Sequence, residues 1–368
     1  MPRFSIHLIK PTRYDDDGYP LQWWRSFMPS NSLACLEGIV RDAAARQVLG
    51  ADVAMDITVR DELHNFIDIE AIVREARQAE TRVFVGLVGV QSNQFPRAVD
   101  LARRLRAGGV PVVIGGFHVS GCLSMLKVIP PDVEEALALG ISLFAGEAED
   151  GKIDEVLRDA YAGTLKPIYN HLKSLPNLAG APLPVLSLHE IARNATSYAP
   201  FDLGRGCPFE CSFCTIINVQ GRKSRHRTAD DVEALVRANW AQGIKNFFIT
   251  DDNFARNANW ESIFDRLIGL RGQGIELQLV IQVDTQSHRI PRFIEKAGRA
   301  GVTRAFLGLE NINPESLKTA QKGQNKITDY RAMFQAWHAA RVLTYAGYIL
   351  GFPEDTPDTI RRDLVIIQ

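Results

Sequence analysis

At 368 residues, with 46% hydrophobic and 23% charged side chains, the chain has ordinary globular composition, long enough for two domains and too apolar for global disorder. A net charge of −1, with no long run of one sign, argues against general nucleic-acid binding, and no apolar stretch reaches the ~18 residues of a membrane span. Of five cysteines, Cys35 and Cys122 are isolated and three are clustered, an odd count that fits a reducing compartment and so the cytoplasm. Phe4 to Ile9 is interrupted by His7, preceded by Arg3 and followed by no small-residue cleavage site, unlike a secretory leader.

The same run, 4–9, reads instead as a buried strand. After a polar and aromatic loop carrying Trp23-Trp24, Ser30 to Ser32 offer caps for a helix with Leu33, Leu36, Ile39 and Val40 on one face. Strands are predicted at 52–59, 83–90, 112–114 and 141–145, and helices at 67–79, 96–107, 133–139 and 150–162. This alternation predicts a doubly wound α/β domain, whose ligands sit at the carboxyl ends of strands. At those ends stand Gln91-Ser92-Asn93-Gln94, Gly115-Gly116-Phe117-His118 and Gly146-Glu147-Ala148-Glu149. Small residues there admit close backbone approach and Ser92 and Asn93 offer hydrogen bonds. A Gly-Gly pair is equally explained by a tight turn, and His118 by a hydrogen-bonded loop. No G-x-G-x-x-G follows the first strand, so the dinucleotide fingerprint is missing.

Pro167, Pro176, Pro182, Pro184 and Pro200 mark 166–200 as an ordered linker. Beyond it, Phe201 to Leu203 is a short strand delivering Gly204-Arg205-Gly206-Cys207-Pro208-Phe209-Glu210-Cys211-Ser212-Phe213-Cys214. Thiolates at C-x3-C-x2-C spacing form a metal-site pattern. Iron–sulfur clusters normally take four cysteines, so three leave an iron open to a substrate or cofactor. The alternative is a zinc knuckle completed by His226, although zinc sites usually join C-x2-C to a second, separated pair. Further strands are predicted at 246–250, 276–283, 303–309 and 343–350, with helices between them. Such repeats predict a parallel barrel or part of one, with active-site groups at the strands' carboxyl ends. The cysteine loop, Asp251-Asp252, Asp284, Glu310-Asn311 and Gly351 to Glu354 all fall there; each acidic group alone is also explained as a helix cap or solvated loop. The basic stretch 218–227 reads slightly better as a solvated loop than as an anion site.

Two resemblances follow from these motifs. Residues 1–165 resemble the cobalamin-binding domain, a flavodoxin-like fold, that is fused to some radical SAM enzymes. The resemblance rests on the three loops above and implies corrin contacts at Gln91, Ser92, Asn93, Gly115, Gly116, His118, Gly146 and Glu147. The D-x-H-x-x-G that supplies an axial histidine in other cobalamin proteins does not occur, as is usual for this subgroup. Residues 201–368 resemble the radical SAM superfamily, through C-x3-C-x-aromatic-C with Phe213 as the aromatic, Gly308-Leu309-Glu310-Asn311, and Gly347 to Glu354 matching G-x-I-x-G-x-x-E. That resemblance implies a 4Fe-4S cluster on Cys207, Cys211 and Cys214, and S-adenosylmethionine beside Phe213, Asp251, Glu310, Gly347, Ile349 and Gly351. The family's partial barrel has six strands, and this sequence stops after the fifth, so truncation is expected. By resemblance the chain is a cobalamin-dependent radical methylase, acting on a small molecule such as a lipid or natural-product precursor and fed electrons by a flavodoxin or ferredoxin. Radical cyclisation or rearrangement, and a truncated non-catalytic binding protein, are the alternatives.

Overall fold

β-Branched and aromatic residues at 4–9 and 83–87 form the middle of the first sheet in the computed structural model, which describes residues 2–367. The chain divides into two units, one of Met1–Asn177, Ala181–Ser197 and Asn218–Gln220, the other of Leu178–Gly180, Tyr198–Ile217 and Gly221–Gln368. No helix among the described residues is long and apolar enough to cross a membrane.

In the first unit β1 (Arg3–Lys10), β2 (Ala54–Asp61), β3 (Thr81–Leu87), β4 (Val112–Gly115), β5 (Ser142–Ala145) and β6 (Ile168–Asn170) are all parallel. Their order is β2-β1-β3-β4-β5-β6. Helices α1 (Asn31–Ala45), α2 (Ile69–Ala76), α3 (Phe95–Ala107), α4 (Phe117–Met125), α5 (Pro131–Ala138) and α6 (Lys152–Ala162) alternate with them. Side chains alternate across a strand, so the two sheet faces build two cores. Phe84 joins Phe4, Ile6 and Leu8 against Leu33, Ile39 and Val40 of α1 and Val156 and Leu157 of α6. Val83, Val85 and Leu87 join Ile9 and Ile114 against Ile72 of α2, Phe95 and Leu101 of α3, and Val133 of α5. Coverage on both faces is why the strands read as nearly unbroken apolar runs.

The first unit departs from expectation at the end of β3, after Gly116 and within the linker. β3 ends at Leu87 rather than continuing to Val90, because Gly89 takes a φ of +65°. Beyond that point Val88 N donates to Ile9 O at 2.8 Å and Val90 N to Gly115 O at 3.1 Å. A helix, α4, follows Gly116 directly, and β6 adds a strand within the stretch expected as linker. That stretch also contains a short helix, α7 (Leu188–Ala192), and its residues 181–197 belong to the first unit. There Val185 N donates to Ala34 O at 3.0 Å, and Leu183 lies so close over Gly38 that a Cβ would collide with its carbonyl.

In the second unit β7 (Tyr198–Phe201) leads into the small antiparallel pair β8 (Gly204–Arg205) and β9 (Arg225–His226), with a single turn, α8 (Ile216–Val219), between them in sequence. Strands β10 (Asn246–Ile249), β11 (Gln278–Val283), β12 (Val302–Glu310) and β13 (Leu343–Tyr348) extend a parallel sheet from β7 in chain order. The helices are α9 (Ala229–Trp240), α10 (Trp260–Gly272), α11 (Phe293–Ala300), α12 (Pro314–Thr319), α13 (Ile327–Ala339) and α14 (Pro357–Ile367). Thr228 and Asp231 cap α9 reciprocally, as their spacing predicts. Aromatic rings join the helices: buried Phe293 lies 5.4 Å from Phe264, 5.0 Å from the partly exposed Trp260 and 6.2 Å from Trp337. With the helical side closed by that core, the carboxyl ends of the strands are left to carry the loops.

Candidate functional site

The cysteine loop leaves β7 through Asp202 and Leu203, and a buried carboxylate from the next strand holds it there. Asp251, just after β10, accepts Leu203 N at 2.7 Å and Gly204 N at 2.8 Å on Oδ1, and Asn257 Nδ2 at 3.0 Å on Oδ2. Burial pushes its carboxyl up to about 7 despite these donors, which favour the ionised form. Gly204 has no space for a Cβ among Asn257, Arg225 and Asp251. Gly206, at φ +92°, lies against the Lys223 carbonyl, and Cys207 N donates to Gly221 O at 3.2 Å. Buried Arg227 donates from Nε to Asp202 O at 3.1 Å, and Arg222 pairs with Glu210. Part of the basic stretch is thus engaged by the protein itself.

Cys207 and Cys214 are half-buried and Cys211 is buried; none of the five cysteines is in a disulfide. Burial raises the pKa of the Cys207 and Cys214 thiols, so metal binding there must displace protons. Among the described residues no three His, Cys, Asp or Glu side chains close around one point as ligands of a single ion would. Three thiolates that each take a separate iron of a cluster need not do so. Amide donors reach two of the sulfurs: Gln324 Nε2 lies 3.4 Å from Cys211 Sγ, and Asn253 Nδ2 3.8 Å from Cys207 Sγ. The donor set and its surroundings fit a cluster.

The residues expected around S-adenosylmethionine fall into two groups. Phe213, Glu310 and Ile349 are linked: Lys322 Nζ lies 5.6 Å over the Phe213 ring and pairs with Glu310, whose carbonyl accepts Ile349 N at 2.7 Å. Phe352 adds an edge-on ring 6.2 Å from Phe213. Asp251, by contrast, has its oxygens on backbone and Asn257, as above. Gly347 sits against Phe306, where a Cβ would come within 2.8 Å of the ring, and Gly351 N donates to Asp355 Oδ2 at 2.9 Å.

In the first unit the three expected loops meet. His118 N donates to Val90 O at 3.0 Å, and Gly146 N to Ser120 Oγ at 3.1 Å. Gly116, at φ +152°, leaves no space for a Cβ against the Val90 backbone, and Gly146, at φ +106°, is closed by His171. Gly115 has only ordinary contact with Phe144. Gln91, Ser92 and Asn93 are exposed and Glu147 is buried. The His118 ring stacks on Phe95 at 4.1 Å, with Nδ1 3.2 Å from Ser92 Oγ and Nε2 3.0 Å from Asp132 Oδ2. Both ring nitrogens of His118 are thus engaged within the unit, and residues 91–93 beside it are exposed.

Lys322, Gln324, Asn325, Arg256 and Asp284 are absent from the residues singled out as cofactor contacts. Asn325 Nδ2 holds the end of β12 through Gly308 O at 3.0 Å and Leu309 O at 2.7 Å. Lys322 to Asn325 occupy the connection between α12 and α13, where no strand end or motif marks them. Asp284 had a signal, its place at a strand's carboxyl end.

Residues 202–365 match the Radical SAM superfamily. The bacteriochlorophyllide d C-12(1)-methyltransferase of Chlorobaculum tepidum is 28% identical over 264 residues, covering 70% of this chain and 55% of that protein. The hopanoid C-2 methylase of Rhodopseudomonas palustris is 26% identical over 285 residues, covering 75% of this chain and 50% of its own length. The chain thus spans about half the length of these relatives. Among solved structures, the radical S-adenosylmethionine methyltransferase TsrM of Kitasatospora setae, determined with cobalamin and a [4Fe-4S] cluster bound, is similar with a TM-score of 0.72. The match has 17% identity over 99% of this chain and 72% of that one. The two parallel α/β sheets therefore resemble the fold of that structure.

Proposed function

With a radical SAM domain at residues 202–365 as its premise, we propose that this chain is a cobalamin-dependent radical SAM methyltransferase acting on an unactivated carbon of a small molecule. The observation that carries the reading is the three-cysteine loop at the carboxyl end of β7, clamped by Asp251 and met by two amide donors to sulfur. When bound, a 4Fe-4S cluster would supply the electron that cleaves S-adenosylmethionine to a 5′-deoxyadenosyl radical, and cobalamin the methyl group.

The chain's own residues do the rest. Cys207, Cys211 and Cys214 hold the cluster; Asp251 and Gly204 fix the loop that presents them. Phe213 and Phe352 offer aromatic faces, and the adjacent Glu310–Lys322 pair offers complementary charges for the amino and carboxylate groups of S-adenosylmethionine. Gly347, Ile349 and Gly351 line the adjoining strand end. In the first unit, a flavodoxin-like reading is supported by the order β2-β1-β3-β4-β5. There Gln91, Ser92, Asn93, Gly115 and Glu147 are assigned to the corrin, with Gly116, Gly146 and His118 shaping the loops. The names of the relatives, a bacteriochlorophyllide and a hopanoid methylase, support a polycyclic apolar substrate, a lipid or natural-product precursor. A flavodoxin or ferredoxin of the cytoplasm is the assigned electron donor.

Anaerobic purification with cobalamin supplied, followed by iron, cobalt and 5′-deoxyadenosine quantification, tests the reading. Iron, cobalt and reductant-dependent 5′-deoxyadenosine are expected, with one labelled methyl per product. 5′-Deoxyadenosine without methyl transfer would redirect the assignment to radical cyclisation or rearrangement.

A further inference from the structure

Asp284 lies just after β11, buried, with each oxygen used twice. Oδ2 accepts Asn253 Nδ2 at 3.0 Å and Arg256 Nε at 2.7 Å. Oδ1 accepts Arg256 Nη2 at 2.9 Å and Gln286 N at 2.7 Å. From these partners three routes lead to the cysteine loop. Asn253 accepts Asp284 N on its own Oδ1 at 3.2 Å, which fixes the orientation of its amide and turns Nδ2 toward Asp284 and the Cys207 sulfur, 3.8 Å away. Gln286 Nε2 donates to Gln324 O at 2.6 Å, and Gln324 Nε2 reaches the Cys211 sulfur at 3.4 Å. The Arg256 guanidinium, held in a bidentate pair, lies 5.2 Å over the ring of Phe209 between the two cysteines in sequence.

We propose that Asp284 is a positioning residue that aims Asn253 and Gln324 at the sulfurs of Cys207 and Cys211, and through them sets the reduction potential of the bound cluster; this rests on the cluster reading above. An N–H directed at a thiolate stabilises negative charge on sulfur, and a reduced cluster carries one more negative charge than an oxidised one. Such donors therefore favour the reduced state and raise the potential. The same carboxylate holds the Asn253 amide directly and the Gln286 backbone whose side chain grips the Gln324 main chain, so both donors are placed from one point.

The test is an anaerobic redox titration of the reconstituted full chain, with dithionite supplying the electron and the reduced cluster followed by EPR. At the potential where the wild type is half reduced, Gln324→Leu is expected to show an about tenfold lower reduced-to-oxidised ratio, ~59 mV for one electron. Its iron content should be unchanged. Asp284→Asn loosens both donors, which lowers the potential, and deletes a negative charge, which raises it; the charge effect is the same in a Gln324→Leu background, so the Asp284→Asn shift should be more positive there than in the wild type. Unchanged potentials in both variants, with iron intact, would overturn the proposal. An Asp284→Asn shift that is identical in both backgrounds would overturn the positioning role; if Asp284→Asn fails to fold by circular dichroism, Gln286→Leu, which frees the Gln324 main chain without a change of charge, takes its place, and an unshifted potential there overturns it. A wild-type chain that takes up no iron overturns the cluster reading itself, and this proposal with it.

Discussion

The glycine loops of the first sheet and the cysteine loop of the second occupy equivalent places, the carboxyl ends of parallel strands, yet they are made rigid by partly different means. In the first unit the backbone does it: Gly116 and Gly146 close so tightly on Val90 and His171 that no side chain fits. In the second unit Gly204 and Gly206 are packed as closely, but a side chain is added, with Asp251 gathering the two backbone N–H groups that lead into the loop. A glycine at a strand end can therefore serve its own chain rather than a ligand, and an acidic residue there can serve the loop that binds rather than the ligand. Only Gly115 among the three glycines is spared that internal demand.

The sharpest way to break this comparison is at the thiolates. Replacing Cys207, Cys211 or Cys214 by serine should abolish iron incorporation, measured as iron per chain after reconstitution, while leaving cobalamin uptake by the first unit intact. Loss of both would mean that the two loops are not independent sites.

Next in size is Gly116→Ala, which places a methyl against the Val90 backbone at a φ of +152° and should cost ~3 kcal/mol in urea unfolding. If the variant is as stable as the wild type, the packing account of the glycine loops fails.

Asp251 gives a pH-dependent prediction. Its folded pKa of about 7 lies above the ordinary carboxylate range, so between pH 4 and 7 the folded state binds a proton that the unfolded state has lost. Its contribution is fully present below pH 4 and disappears as pH rises through 7, with a slope of at most ~1.4 kcal/mol per pH unit. Asp251→Asn, which keeps an oxygen for Leu203 N and Gly204 N, should flatten that slope; unfolding midpoints across the range measure it, and an unaltered slope refutes the clamp's titration.

The smallest effects are expected at Gly115 and His118. Gly115→Ala should stay within ~0.5 kcal/mol of wild type yet weaken cobalamin uptake, which separates ligand approach from self-packing. His118→Ala should cost about 1 kcal/mol for its lost hydrogen bonds and leave the visible spectrum of bound cobalamin unchanged. A changed spectrum would make His118 an axial ligand after all.

Much of the fold was legible because strands covered on both faces are written as apolar runs, as at 4–9 and 83–87. α4 escaped notice because Phe117 to Met125 is mostly apolar, with Gly121 inside it, and so shows no clear polar face to give a helical period. β6 is short and stands directly after Pro167. The seating of residues 181–197 depends on a notch at Gly38, a contact remote in sequence. At the site, the cysteines declared themselves by spacing, and Asp251 and Asp284 by position. Orientation was not legible: which way a carboxylate turns at a strand end is decided by partners such as Leu203 N or Arg256. Lys322 and Gln324 sit in a connection that only tertiary pairing brings to the cysteine loop.

Glu310 ends β12 with a φ of +63°, at an irregularity in its pairing with β13, although it is not a glycine. A side chain in that conformation costs roughly 1 kcal/mol relative to glycine. The position is frustrated in the energy-landscape sense, the residue that would suit the backbone differing from the one present. Glu310→Gly would relax the main chain while deleting the partner of Lys322, so stability and charge balance pull in opposite directions at one point beside the cysteine loop. Such conflict concentrates where a chain is shaped by something other than its own folding.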